Sequence, residues 1–191
     1  MRLVLSTRNP HKVRELEPLL APHTLDPLPE EVELPPETGE TFAENALGKA
    51  RAAAQATNRP AVADDSGIAA EALDGAPGVR SARYAGEDAT DEQNLQKLLD
   101  EAPAGSGLAY VCALAYVDPA AGVEHVVEGR CEGTLAAEPR GTGGFGYDPA
   151  FVPVEHPDRT MAELAPAEKD AISHRGRAAR ALLGWLGERA G

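Results

Sequence analysis

Residues 2–13 read Arg-Leu-Val-Leu-Ser-Thr-Arg-Asn-Pro-His-Lys-Val, and their pattern is the strongest indication of the fold class. The apolar residues 3–5 predict a short buried strand, because an apolar run that ends in small polar residues is typical of one. Asn9 followed by Pro10 predicts a helix start, since asparagine caps helices and proline is favoured at the first helical position. A strand that turns directly into a helix favours an α/β protein.

Beyond this stretch, predicted helices alternate with strands, and a β-hairpin follows in the middle of the chain. The expected helices are 10–21, 41–56, 90–100 and two pieces from residue 160 onward. The expected strands after the first are 60–63, 108–117, 123–132 and 151–152, with one more short strand possible at 135–138, loop or an irregular edge strand at 26–40 and loop at 74–88. This order predicts an α/β fold with a mixed sheet. Since no repeat or long linker divides the chain, we expect residues 1–191 to form a single domain.

The charge balance limits the possible partners. The chain has 18 basic and 31 acidic residues, for a formal net charge of −13. This argues against a nucleic-acid binder, which needs a basic footprint, and against binding to an anionic membrane surface. Both cysteines lie in strand-like segments without metal-ligand spacing, and no apolar stretch approaches the ~20 residues of a membrane span. With no charged leader before a long apolar region, we expect a cytoplasmic protein.

The first candidate segment is the turn at 6–12, Ser-Thr-Arg-Asn-Pro-His-Lys. A polar turn before a helix presents backbone N–H groups and the positive end of a helix dipole, which suit an anion. Lys12 adds a point charge in the first turn of that helix. The segment lacks the glycines of a P-loop or dinucleotide fingerprint. An ordinary capped helix with a surface lysine is the alternative.

The second candidate is a set of carboxylates: Glu37, Glu40, Glu44 and the pair Asp64-Asp65. Mg²⁺ prefers hard oxygen ligands of this kind and keeps several waters. The pair Asp64-Asp65 directly follows an apolar strand, and ligands bind at the carboxyl ends of strands in α/β sheets. A solvated acidic loop is the alternative for the glutamates, of which Glu44 also fits a capping box with Thr41.

Two later segments complete the candidates. One is the segment 141–149, Gly-Thr-Gly-Gly-Phe-Gly-Tyr-Asp-Pro. Its glycines permit close approach of the backbone to a ligand. It also contains two of the few aromatic residues, which could stack on a nucleobase or fill the core. The other is the segment 169–175, Lys-Asp-Ala-Ile-Ser-His-Arg, which places cations at a break between two helices. These cations could bind an anionic ligand or simply form a solvated surface. Three of the four lysines, Lys12, Lys49 and Lys169, lie in or beside these segments.

Taken together, these segments resemble the inosine triphosphate pyrophosphatase family. The resemblance rests on six stretches that occur in the family's order, at 6–15, 37–46 with Lys49, 63–67, 75–86, 141–149 and 168–176. Arg8 departs from the pattern, because the family usually has glycine there. Its side chain would narrow the phosphate turn or reach a phosphate.

The resemblance implies an elongated, two-lobed α/β fold with the nucleotide in a cleft between the lobes, and a homodimer. It further implies Mg²⁺-dependent hydrolysis of ITP, dITP and XTP to the monophosphate and pyrophosphate. The substrate would be a small purine nucleoside triphosphate, and no nucleic acid or membrane would take part.

Residue roles follow from the same resemblance. Asp65 would be the catalytic residue, and Glu37 and Asp65 would hold Mg²⁺. The phosphates would be bound by Thr7, Arg8, Asn9, Pro10, His11 and Lys12 with help from Lys49, and Ser66 would touch the substrate. Phe145 would stack on the base, and Asp148, Lys169, His174 and Arg175 would read its edge, with Gly146 and Tyr147 as further substrate-binding residues. His174 and Arg175 would donate to the 6-oxo group that adenine lacks.

Two other functions compete with this interpretation. One is a related pyrophosphatase of the Maf-like family, acting on modified pyrimidine nucleotides, against which the segments 144–148 and 173–175 argue. The other is a nucleotide sensor that binds without hydrolysis, against which the metal carboxylates argue.

Overall fold

The structure, a computed structural model, describes residues 1–190, with side chains through Arg189. Its main elements are β1 (Arg2–Leu5), α1 (Pro10–Leu19), β2 (Thr24–Pro27), α2 (Phe42–Thr57), β3 (Ala61–Ala70), α3 (Asp91–Glu101), β4 (Gly107–Asp118), β5 (Val123–Leu135), β6 (Phe151–Pro153), α4 (Pro166–Ile172) and α5 (His174–Ala190). Short 3-10 helices span Glu71–Leu73, Gly78–Arg83, Asp148–Ala150 and Met161–Glu163. The last residue of the expected domain 1–191 lies outside the described residues.

The strands form one six-stranded sheet in the order β2-β1-β3-β4-β5-β6. β1 pairs in parallel with β2 and β3, whereas β5 pairs antiparallel with β6. The predicted mixed α/β sheet is therefore confirmed. β4 and β5 are neighbours joined at 119–122, where the Asp118 carboxylate accepts the N–H groups of Ala120 and Ala121.

One predicted boundary is wrong in a way that matters for the site. The strand expected at 60–63 extends over Ala61–Ala70, so Asp64 and Asp65 lie inside β3 and not beyond its end. Two adjacent aspartates ended the apolar pattern that marks a strand in the sequence. They are nonetheless buried in the sheet, since partners from the neighbouring helices compensate their charges.

The chain forms two compact units. The first unit comprises 1–65, 112–129 and the described part of 175–191; the second comprises 66–111 and 130–174. In the first unit, Leu3 and Leu5 pack with residues of α1 and α5, while Val4 packs with the alanines of α2. This alternation follows from the two-residue period of a strand, and it places helices on both faces of β1.

The second unit has its own core around Ile68, Leu98, Tyr110, Phe151 and Met161. The ring centroids of Tyr110 and Phe151 lie 4.5 Å apart within it. Within residues 1–190, every helix is too short or too polar to cross a bilayer.

Candidate active site

Asp64 and Asp65 point to opposite faces of β3, because successive side chains of a strand alternate. Ala61 and Ala63 pack on the α2 side of the sheet and Val62 packs on the side of α1 and α5. In step with this pattern, Asp64 contacts residues of α1 and α5, and Asp65 contacts residues of α2. The two aspartates therefore take part in separate clusters.

The carboxylate cluster consists of Glu37, Asn45, Lys49 and Asp65, all in the first unit. Lys49 Nζ lies 2.5 Å from Glu37 Oε1 and 3.4 Å from Asp65 Oδ1. Asn45 donates from Nδ2 to Asp65 Oδ2 at 3.0 Å. Both predicted metal carboxylates thus lie around one ammonium group, although they are 28 residues apart in the chain and α2 lies between them.

Burial and charge act against each other in this cluster. Burial raises the pKa of Asp65, and the Glu37 charge raises it further, while the Lys49 ammonium lowers it; the net shift of the Asp65 pKa is upward. Burial alone would lower the pKa of Lys49, but the carboxylates of Asp65, Asp64 and Glu37 outweigh it and raise that pKa. Lys49 is therefore a charged ammonium group surrounded by carboxylates. A metal ion bound to a phosphate could interact with the same carboxylates.

The buried charge network consists of Lys12, Glu15, Asp64 and Arg175 and also lies in the first unit. Asp64 Oδ2 is 3.1 Å from both Lys12 Nζ and Arg175 Nε, and Arg175 Nη1 is 2.6 Å from Glu15 Oε2. The Asp64 side chain is fully buried. Burial would raise the pKa of Asp64, but the charges of Lys12 and Arg175 hold it well below its usual range.

The turn before α1 matches its predicted local structure. Asn9 caps the helix, and its Oδ1 accepts the N–H groups of His11 and Lys12 at 2.9 and 3.4 Å. Pro10 is the first helical residue, and the Asn9 N–H donates to Thr7 Oγ1 at 3.2 Å. The cap occupies two of the N–H groups that the sequence pattern offered to an anion, so those two groups are engaged within the turn itself.

Arg8 binds backbone rather than an acidic partner. Its Nη1 donates to Leu28 O at 3.1 Å, and its Nη2 lies 2.8–3.2 Å from the carbonyl oxygens of Pro29, Glu30 and Val32. The guanidinium thereby ties the turn before α1 to the loop that leads to Glu37. The sequence pattern indicated a side chain directed at the phosphate turn and did not indicate this loop contact.

The Asp148 cluster lies in the second unit and joins Tyr110, Phe145, Asp148, Lys169 and His174. Asp148 Oδ1 accepts from the Tyr110 hydroxyl at 3.0 Å, and Oδ2 accepts from Lys169 Nζ at 2.7 Å and from the Phe145 N–H at 2.9 Å. Lys169 Nζ lies 5.4 Å from the centre of the Phe145 ring, and His174 stacks on Tyr110 with centroids 4.6 Å apart. Three other predicted base-binding residues, Phe145, Lys169 and His174, therefore lie in one cluster with the buried carboxylate of Asp148.

The remaining predicted residues have varied surroundings. Tyr147 is buried in the core of the second unit, which agrees with the alternative that this aromatic side chain fills the core. Its hydroxyl donates to Ser81 O at 2.7 Å. The Gly146 N–H donates to Asp91 Oδ2 at 2.9 Å. His11 Nδ1 lies 2.8 Å from Arg14 Nη2 on the surface of α1, and Ser66 is half-buried in β3.

Three residues of these clusters were missed as site residues. Asn45 lies in the matched stretch 37–46 without a role, Glu15 ends the stretch 6–15, and Tyr110 lies in an apolar strand pattern. The capping box of Thr41 and Glu44 is confirmed, so Glu44 serves the helix start. Only the alternation in β3 could have indicated that Asp64 and Asp65 have different partners.

Glu37 and Asp65 are the two carboxylates that could serve as donors to a metal ion. Among the described residues, no three histidine, cysteine or acidic side chains are arranged to hold a metal. Mg²⁺ is usually bound by one or two carboxylates together with substrate phosphates and waters, so a two-carboxylate set suits it. The chemistry of the donors therefore fits a magnesium ion that is completed by a phosphorylated substrate.

Comparison with known proteins gives consistent matches over almost the whole chain. The dITP/XTP pyrophosphatases of Frankia alni and Streptomyces coelicolor are 53% and 52% identical, and the alignments cover 98% and 95% of both chains. The structure of a HAM1 protein from Coxiella burnetii superimposes with a TM-score of 0.88 at 43% identity, covering 98% of this chain and 99% of that one. A family model described as the Ham1 family matches residues 3–185. The resemblance predicted from the sequence is confirmed, and the chain belongs to the Ham1 family.

Proposed function

We propose that this protein hydrolyses ITP, dITP and XTP to the nucleoside monophosphate and pyrophosphate with the help of Mg²⁺, and so removes noncanonical purines from the nucleotide pool. Its family membership and its relatives make the chain an enzyme, a nucleoside triphosphate pyrophosphatase. The observation that carries the finer proposal is the position of Lys49 between Glu37 and Asp65.

Glu37 and Asp65 are the proposed ligands of Mg²⁺. When bound, the ion supplies positive charge that stabilises the negative charge developing on the phosphate oxygens. Lys49 already lies between the two carboxylates, so it can contact a phosphate oxygen while remaining paired with them. This arrangement lets an acidic protein accept a polyanionic substrate through local charges.

The turn residues Thr7 to Lys12 and Lys49 are the proposed phosphate contacts, with Ser66 as a further substrate contact. Lys12 is held against Asp64, so its ammonium has a fixed position instead of moving freely in solvent. Fixed donors stabilise charge in a transition state better than mobile ones, because they need no reorganisation during the reaction. Arg8 and Asn9 support the turn through the loop carbonyls and the helix cap.

Asp65 is the proposed catalytic residue, which orients the water that attacks the α-phosphorus. Its pKa is shifted upward by burial, as expected of a carboxylate that accepts a proton more readily than an exposed one. The leaving group is pyrophosphate, and Lys12 and Lys49 stabilise the charge that it gains.

The Asp148 cluster is the proposed base site. Phe145 would stack on the purine, while Gly146, Tyr147, Asp148, Lys169 and His174 would shape or read its edge. A donor from His174 would satisfy the 6-oxo group of hypoxanthine and xanthine and would meet the amino group of adenine badly. A base contact by Arg175 would require a donor other than Nε and Nη1, which bind Asp64 and Glu15.

Pyrophosphate release from a panel of ITP, XTP, ATP, dTTP and UTP, each with and without Mg²⁺, tests this proposal. We expect Mg²⁺-dependent release from ITP and XTP. Preference for dTTP or UTP would favour the Maf-like alternative, and binding of ITP without release would favour a sensor. Lys49→Gln should lower kcat/KM for ITP by about 100-fold or more. Lys97→Gln is the matched control, since Lys97 contacts Glu101 on an exposed helix face.

We further propose that residues 1–191 act as one functional domain and that the protein is a cytoplasmic homodimer without nucleic-acid or membrane partners. The family resemblance supports the dimer, and the net charge of −13 disfavours polyanionic partners. Light scattering of the purified protein tests the dimer directly.

A further inference from the structure

We infer that Asn45 is a positioning residue, which holds the loop of Glu37 and the carboxylate of Asp65 in one arrangement. The inference deepens the proposed function and rests on it, because it takes Glu37 and Asp65 as the metal ligands. Asn45 lies in the first turn of α2 and is only 5% exposed.

The side-chain amide of Asn45 bridges two segments that are distant in sequence. Its Oδ1 accepts the Gly39 N–H at 2.8 Å, two residues after Glu37, and its Nδ2 donates to Asp65 Oδ2 at 3.0 Å. One planar group therefore fixes both the loop and the aspartate. Because the donor and the acceptor belong to the same amide, displacement of the loop would also disturb the contact with Asp65.

Gly39 shows how closely the loop approaches the amide. A Cβ atom at this position would lie 2.7 Å from Asn45 Oδ1 and 2.8 Å from the Glu44 Cβ. Real Cβ contacts are not that short, so only glycine allows the Glu37 loop to reach this hydrogen bond.

Asn45 also determines which oxygen of Asp65 faces Lys49. Asn45 and Lys49 are four residues apart on one face of α2 and contact different oxygens of the same carboxylate. With Oδ2 bound to Asn45, Oδ1 is turned towards Lys49, which also binds Glu37. The carboxylate cannot rotate freely, so the oxygen that contacts Lys49 keeps one position.

The test uses Asn45→Ala with Asn94→Ala as the matched control. Asn94 is 2% exposed and makes the same kind of bridge, accepting from the Ala85 N–H and donating to Ala82 O, but it contacts no carboxylate in these bonds. Circular dichroism and thermal unfolding identify variants that remain folded. Amide hydrogen exchange at Gly39 is then measured in the metal-free protein, and the Mg²⁺ concentration for half-maximal ITP hydrolysis is measured in parallel.

In Asn45→Ala we expect exchange at Gly39 and the required Mg²⁺ concentration each to rise roughly tenfold, since a hydrogen bond to a charged group is lost. Asn94→Ala should leave both near their original values. Asn45→Asp retains the acceptor for Gly39 and lacks the donor for Asp65, so Gly39 should stay protected while kcat/KM for ITP falls.

Two results would overturn the inference. Unchanged exchange at Gly39 in Asn45→Ala would show that the amide does not hold the loop, whether or not the protein hydrolyses ITP. An unchanged Mg²⁺ requirement in an active Asn45→Ala enzyme would show that the bridge does not position the ligands. An inactive original protein with a loosened Gly39 would contradict the proposed function and leave the loop contact established, so the two failures are distinguishable.

Discussion

Arg175 donates through Nε to Asp64 Oδ2 at 3.1 Å, so a side chain expected to read a base is bound to a buried carboxylate. Its second partner, Glu15, belongs to α1, and the arginine therefore links α5 to both β3 and α1 within the first unit. Burial would lower the pKa of Arg175, but the carboxylates of Asp64 and Glu15 outweigh it and raise that pKa.

Removal of the Asp64 charge should destabilise the protein strongly. In Asp64→Asn, Lys12 and Arg175 remain largely buried without their shared anion, and loss of one partner from a buried ionic group typically costs about 3–5 kcal/mol. Urea unfolding measures this change. The matched control is Glu124→Gln, which breaks the exposed pair with Arg51 and should cost less than about 1 kcal/mol. Equal losses in the two variants would contradict a structural role for Asp64.

Arg8 offers a test between a phosphate contact and a loop contact. Arg8→Lys keeps the positive charge but cannot reproduce the planar array of donors that binds the carbonyl oxygens of 28–32. We expect faster cleavage after Glu30 or Glu31 by a glutamyl endoproteinase and a KM for ITP raised about three- to tenfold. Arg51→Lys, at an exposed ion pair, is the control. Unaltered KM and cleavage in Arg8→Lys would favour a role that depends on charge alone.

The Gly-rich loop of the second unit can be tested with two glycines of similar backbone conformation. Gly144 has φ +69° and Gly146 has φ +61°, so alanine at either position carries a comparable left-handed strain of about 1–2 kcal/mol. A Cβ on Gly144 would overlap Asp148 Oδ2, whereas nothing lies within 4 Å of one on Gly146. Gly144→Ala should therefore be less stable than Gly146→Ala by roughly 1–3 kcal/mol in urea unfolding. Equal stabilities would mean that Asp148 is not held against this loop.

The cysteines should be unreactive in the folded protein. Cys112 and Cys131 are both free and buried, and burial, reinforced by the Asp64 charge, raises the pKa of Cys112 to about 12. Only the thiolate reacts, and with this pKa the thiolate fraction of Cys112 at pH 8 is negligible. Titration with a thiol-specific disulfide reagent should detect no thiol before denaturation and both thiols in urea. Rapid labelling of the native protein would contradict the burial of the sheet around β4.

Local signals in the sequence predicted a large part of the fold. The Asn9 cap and the Thr41 capping box are set by neighbouring residues, and both helix starts agree with the structure. The extent of β3 could not be predicted in the same way, because Asp64 and Asp65 are buried only through partners elsewhere in the chain. A window of sequence does not contain those partners.

In the candidate site, too, some features could be predicted from the sequence and others depend on partners distant in the chain. The resemblance identified Glu37, Lys49 and Asp65, and the structure brings them together. It could not indicate that Arg8 binds carbonyl oxygens or that Arg175 binds Asp64, because these contacts depend on tertiary packing. Side chains with many donors, such as arginine, are the hardest to assign from their type alone.

The central claim is that Asp65 directs water to the α-phosphorus of a purine triphosphate, and hydrolysis of ITP in ¹⁸O-labelled water with Mg²⁺ tests it most directly. Mass spectrometry of the products should find one ¹⁸O atom in IMP and none in pyrophosphate, and a folded Asp65→Asn variant should form neither product at a measurable rate. Label in pyrophosphate, release of IDP with orthophosphate, or full activity of Asp65→Asn would contradict the account.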